Sequence, residues 1–140
     1  MINYDKILAD LKIELESSIG YLKYSFEKIN KKSINSNSTS PEDLETYEAL
    51  VSRFARTTDI FVAKYLRSFV LKDDPAFSGS LIDTINYAEK KGLIVSAKNW
   101  IEIRELRNKI SHEYAAADLK IIFDQVMLLT PEVLEIRKKI

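Results

Sequence analysis

The widest range of side-chain chemistry in the chain lies in one short run, Arg107-Asn108-Lys109-Ile110-Ser111-His112-Glu113-Tyr114. It holds a permanent cation, an amide, the only histidine and a phenol. Cleaving an RNA phosphodiester without a metal needs a group that exchanges protons near neutral pH at the 2′-hydroxyl or the leaving oxygen, and imidazole suits that work. His112 is the candidate. Negative charge also builds on the non-bridging phosphate oxygens, and a guanidinium offers them a planar, always protonated fork. Arg107 is the candidate for that part. Asn108 is a supporting residue able to orient the imidazole or the substrate, and Tyr114 offers a hydroxyl for hydrogen bonding or modification.

The spacing sets a geometric condition. Five residues of unbroken helix turn a side chain through about 500°, which leaves Arg107 and His112 roughly 140° apart around the axis. They converge only if the helix breaks near Ser111, or if two copies of the chain bring complementary halves together across a two-fold axis. A homodimeric site is the expectation. An arginine and a histidine at this distance also occur by chance; the position of the whole run, late in a chain of helices, weighs toward function.

The elements that must position this run are all helical. Tyr4, Leu8, Leu11, Leu15, Ile19, Leu22, Phe26 and Ile29 step by three or four, the period of one helix face. The polar segment from Ser33 to Ser40 interrupts the pattern as a loop. Ser40-Pro41-Glu42-Asp43 then starts a second long helix, with Leu44, Tyr47, Val51, Phe54, Thr58, Phe61, Tyr65 and Phe69 on its core face, ended by Asp73-Asp74-Pro75. A shorter helix from about Leu81 to Lys91 closes at Gly92. Ser96 caps a fourth, which buries Trp100, Ile103, Leu106 and Ile110 beside a polar stripe of Arg104, Arg107, Asn108 and Ser111. Asp118 is the expected cap of a last helix through Ile121, Ile122, Val126 and Leu129, with a restart or kink at Thr130-Pro131-Glu132. The sequence therefore predicts an all-α, up-and-down bundle of four main helices plus a C-terminal helix, one domain over residues 1–140.

Composition narrows the function classes. The chain has 140 residues, with 21 basic and 21 acidic side chains, so there is no broad cationic field and any RNA contact must be local. With 0 Cys there is no disulfide, thiol nucleophile or cysteine metal site, which fits a reducing cytoplasm. No secretion signal or membrane span is expected. Acidic pairs such as Glu42-Asp43 and Asp73-Asp74 fall at helix ends, where the dipole accounts for them, so no metal or cofactor is expected. Tyrosines and phenylalanines at helical spacing are expected to pack. Only 3 Gly are present and no phosphate-cradling loop, so nucleotide transfer would fall to a separate partner.

The pattern Arg107-Asn108-x-x-x-His112-x-Tyr114 resembles the R-x4-6-H signature of HEPN domains, in its HepT form with a polar residue after the arginine and a tyrosine two after the histidine. The resemblance implies a toxin of a toxin–antitoxin pair: a metal-independent ribonuclease whose Arg107 and His112 meet at a homodimer interface. It also implies a cognate MNT nucleotidyltransferase antitoxin that can adenylylate Tyr114. On the second helix, Arg53-Phe54-x-x-Thr57-x-Asp59 is similar to the R-F-x-x-T-x-E pattern of related HEPN proteins that act as nucleotidyltransferase substrate-binding partners, with Asp59 where Glu is common. That likeness implies supporting roles for Arg53 and Asp59 and an alternative function, a non-catalytic partner. Independently, Arg53, Arg56, Thr57, Lys64 and Arg67 share a sector of about 100° on an ideal helix, able to track phosphates or simply to face solvent.

Overall fold

The Asn3 side chain accepts a hydrogen bond from the Lys6 amide at 3.1 Å and so opens α1, which runs Tyr4–Lys32. In this computed structural model, residues 1–112 and 116–140 are described. Ser33 ends α1 in the left-handed region, at φ 53°, and the polar loop follows as expected. Ser40 accepts from the Asp43 amide at 3.1 Å and starts α2, Pro41–Asp59. A π-helical segment, Ile60–Leu66, and α3, Arg67–Asp73, continue the same rod. A Ser80–Asp83 capping box opens α4, Leu81–Lys90. Gly92 turns the chain at φ 77°, and Ser96 caps α5, Ala97–Ile110. The chain closes with α6, Ala116–Leu134, and a 3₁₀ turn, Glu135–Lys138. The described residues contain no strand, and no helix among them is long and apolar enough to cross a membrane.

The expected helical bundle is therefore present, with four differences of detail. The second rod is not one uniform helix. From Ile60 its i→i+5 bonding places more residues in each turn, so Val62, Leu66 and Val70 join Phe61 and Tyr65 in the core. Phe69 is consequently only half-buried, and Leu44, at the start of the rod, is exposed. Second, α6 begins at Ala116, so Asp118 sits within its first turn and is not its cap. Third, no restart occurs at Thr130: α6 passes through Pro131, while the buried Thr130 hydroxyl donates to the Val126 carbonyl at 2.6 Å. Fourth, Ile121 is exposed, and its neighbour Phe123 takes the core position against Tyr47.

The helices α1 and α2 run antiparallel, as three cross-seam contacts require. Glu14 pairs with Lys64, Ser18 meets Thr57, and Ser25 accepts from Arg53, so partners fall along one chain as they rise along the other. Ser18 and Thr57 are buried and share a hydrogen bond of 2.7 Å, a polar contact that fixes the register of two otherwise apolar faces. On the other side of the rod, the Tyr47 hydroxyl donates to the Leu119 carbonyl at 2.6 Å and ties α2 to α6. Phe61 packs on Trp100 with ring centroids 4.8 Å apart, which seats α5 against the π segment. The α5 N-terminus is held as well, since the Ala97 amide donates to the Glu89 carboxylate of α4 at 2.6 Å.

Removing one member of the buried hydroxyl pair strands the other. Thr57→Val should lower unfolding free energy by about 1–3 kcal/mol in urea titrations, and adding Ser18→Ala should recover part of that loss. Strictly additive losses would show that the two hydroxyls are not coupled.

Candidate functional site

Three buried residues, Trp100, Ile103 and Leu106, fix the rotation of α5 and so turn Arg104 and Arg107 toward the flank of α2. There they meet Asp59, the last residue before the backbone widens. Arg107 Nε donates to Asp59 Oδ1 and Nη2 to Oδ2, both at 2.8 Å, a two-point fork. Arg104 Nη1 reaches Oδ1 at 3.2 Å. The remaining Arg107 nitrogen, Nη1, donates to Ser111 Oγ at 2.6 Å. Arg107 is thus gripped on two edges, its side chain 23% exposed.

Charge follows from this geometry. The Asp59 hydrogen bonds, outweighing partial burial, raise the Arg107 pKa beyond its already high ordinary value. Two guanidinium groups on one carboxylate leave a net positive charge on the cluster. Arg107 and Asp59 line an open cavity of about 440 Å³ whose wall also includes Arg56, Lys64 and Glu14. Three cations against two carboxylates make this a local positive site on a chain that has none overall.

The signature residues divide at the end of the helix. Of the two conditions for convergence, the helix break is met: α5 ends at Ile110, Ser111 caps it, and the His112 amide bonds back to the Lys109 carbonyl at 3.1 Å. Asn108 and His112 are both exposed. Tyr114, the expected modification target, lies outside the described residues. In the sequence Asp59 belongs only to a helix-two pattern; no local signal pairs it with an arginine 48 positions away.

That helix-two pattern contributes differently from what a phosphate track requires. Thr57 is buried against Ser18, Arg53 donates to the Tyr21 carbonyl and Ser25, and Arg67 donates to the Gly79 carbonyl at 2.7 Å. The basic sector is therefore not a continuous row of free cations. The π segment, which departs from the ideal spacing, separates Arg53 and Arg56 from Arg67. The largest cavity described, about 530 Å³, is also not the chemical site. Its walls are mainly apolar, with Leu44, Val51, Ile110, Leu119 and Ile122 among them.

A family model described as Ribonuclease HepT-like matches residues 78–140, the portion that carries Arg107, His112 and Tyr114 but not Asp59. The match is consistent with a HEPN/HepT-like protein. No curated protein and no solved structure matched the chain.

Asp59→Asn keeps the side-chain shape and removes the charge from the fork. It should leave the helical signal intact and reduce unfolding free energy by about 1–2 kcal/mol. A raised arginine pKa contributes stability that is complete below the unfolded value and lost only as pH climbs through the folded one. The difference from wild type should therefore stay level from about pH 7 to pH 10, and a difference that shrank over this window would contradict the paired geometry.

Proposed function

From the similarity of residues 78–140 to HepT-like ribonucleases, we propose that this protein is a HepT-type toxin: a metal-independent ribonuclease that works as a homodimer. The observation that carries the reading is the Arg107 guanidinium, held by Asp59 at the rim of a locally positive cavity, five residues before His112 on a helix that ends between them. In the reaction the 2′-oxygen of the ribose bonds to phosphorus while the bond to the 5′-oxygen breaks. His112 carries the proton from the attacking hydroxyl toward the leaving oxygen, and Arg107 stabilises the charge on the phosphoryl oxygens. Asp59 and Arg104 are positioning residues, and Asn108 supports the imidazole.

A homodimer is part of this reading: Arg107 lies on α5 and His112 beyond its end, and two copies of the chain would supply complementary halves of each site. Ile121 and Leu128, two helical turns apart on α6, are 57% and 77% exposed and offer apolar surface for such an assembly. A cognate MNT nucleotidyltransferase would restrain the toxin by transferring an adenylyl group to Tyr114. The alternative, a non-catalytic nucleotidyltransferase partner, draws on the Arg53-to-Asp59 likeness. Its core positions, Phe54 and Thr57, are accounted for by packing and by the Ser18 contact.

Purified wild type should cleave RNA in the presence of a chelator. Arg107→Ala and His112→Ala should each lower cleavage by at least about 100-fold, with dimer mass and helical signal retained. Cleavage preserved in both variants would rule out the mechanism. Expression of the chain alone should arrest growth, and His112→Ala should relieve the arrest; a passive partner would do neither. With the nucleotidyltransferase and ATP, the wild type should gain an adenylyl mass that Tyr114→Phe does not.

A further inference from the structure

Two tyrosines of α1 lie off the apolar stripe that carries Leu15, Ile19, Leu22 and Phe26. Tyr21 and Tyr24 are 56% and 63% exposed. Between α1 and α2 the Arg53 guanidinium lies against both, 5.5 Å from the Tyr21 ring centroid and 6.0 Å from that of Tyr24. It is fixed there, since Nη1 donates to the Tyr21 carbonyl at 3.2 Å and to Ser25 Oγ at 2.8 Å. Gly20 adds no side chain to the adjoining surface, and a Cβ there would meet nothing nearer than Arg137 Nη2, at 3.9 Å. The result is a cavity of about 460 Å³, bordered by both rings, Arg53, Gly20, Ser17 and Glu16.

We propose that Tyr21, Tyr24 and Arg53 form a stacking platform for an unpaired base of single-stranded RNA, beside the Arg107 site. The inference rests on the ribonuclease reading above and adds where the substrate is held. Aromatic faces and a planar guanidinium are the groups on which splayed-out bases stack, and they do so with little regard to sequence. Glu16 and Ser17 on the rim offer an acceptor and a hydroxyl to a base edge. The carboxylate disfavours a phosphate at this spot and leaves a neutral base as the better occupant. The volume is in the range of small-ligand clefts.

Position links the platform to the chemistry. Arg53 and Asp59 stand six residues apart on α2, about 9 Å along the axis and roughly 120° around it. The exposed Arg56 lies between them and lines the Arg107 cavity. A short single strand whose phosphate rests at Arg107 thus has a cation beside its path and an aromatic surface at the end of it.

The test is a binding titration of wild type, a Tyr21→Ala/Tyr24→Ala double variant and a Tyr21→Phe/Tyr24→Phe double variant. The probes are a fluorescent single-stranded RNA with 2′-O-methyl sugars, which removes the attacking hydroxyl, and an abasic strand of the same length. Both tyrosines are largely exposed, so the variants should retain the wild-type helical signal. The alanine pair should weaken RNA binding about tenfold or more, while the phenylalanine pair should preserve it. Neither should change affinity for the abasic strand or the salt dependence of binding. Unchanged RNA affinity in the alanine pair, or an equal loss on the abasic strand, would overturn the platform. If such a variant also binds and cleaves RNA normally, the ribonuclease reading stands and only the platform fails. If the wild type binds no strand, both fail together. Loss of the dimer in sedimentation with RNA affinity intact would assign the surface to a second copy of the chain and overturn the proposal.

Discussion

Asp59 is a single carboxylate that receives two arginines from another helix, and the orientation of the Arg107 guanidinium turns on it. The fork to Arg107 is short at both oxygens, and Arg104 adds a third contact. A bidentate pair is sensitive to orientation as well as distance, so it locks the guanidinium in the direction that the buried stripe of α5 gives it. The guanidinium that faces the cavity is already held in place by the protein. Preorganisation of this kind lets a charged group stabilise developing charge without first having to reorient.

The core makes that pairing possible. Phe61 and Trp100 meet directly after the backbone widens at Ile60, and Ile103 and Leu106 continue the buried stripe of α5. Around Asp59, the change from i→i+4 to i→i+5 bonding brings a broader set of apolar residues inward over a short length of rod. Asp59 stands at the edge of that seat, close enough to meet Arg107 and still part exposed. The buried Ser18–Thr57 bond sets the register on the opposite seam. Slippage of α1 there would break a satisfied polar contact inside an apolar interface.

Charge is organised on the same local scale. Equal numbers of acidic and basic side chains cancel over the whole molecule, yet the cavity beside Arg107 gathers three cations and two carboxylates. Screening restricts such a site to ligands that come near it, and a chain of zero net charge has no long-range field for indiscriminate adsorption of nucleic acid. Arg53, pinned between α1 and α2, shows the other use of a guanidinium here: its charge is spent on carbonyl, hydroxyl and ring contacts, and what remains on the surface is a flat polar and aromatic face.

Local rules made much of the fold legible without coordinates. The stepping of Leu15, Ile19 and Leu22, the caps at Ser40 and Ser96, and the turn at Gly92 depend on residues within a few positions of one another, and the chain carries them in plain order. Tertiary structure alone decided the rest. The widened backbone after Asp59, the seating of Arg53 against Tyr21 and Tyr24, and the union of Asp59 with Arg104 and Arg107 all arise where distant segments compete for one space. Periodicity tells which face of a helix is apolar, but it holds no information about which neighbour that face will meet. A carboxylate therefore acquires its arginine only when packing brings the two helices together.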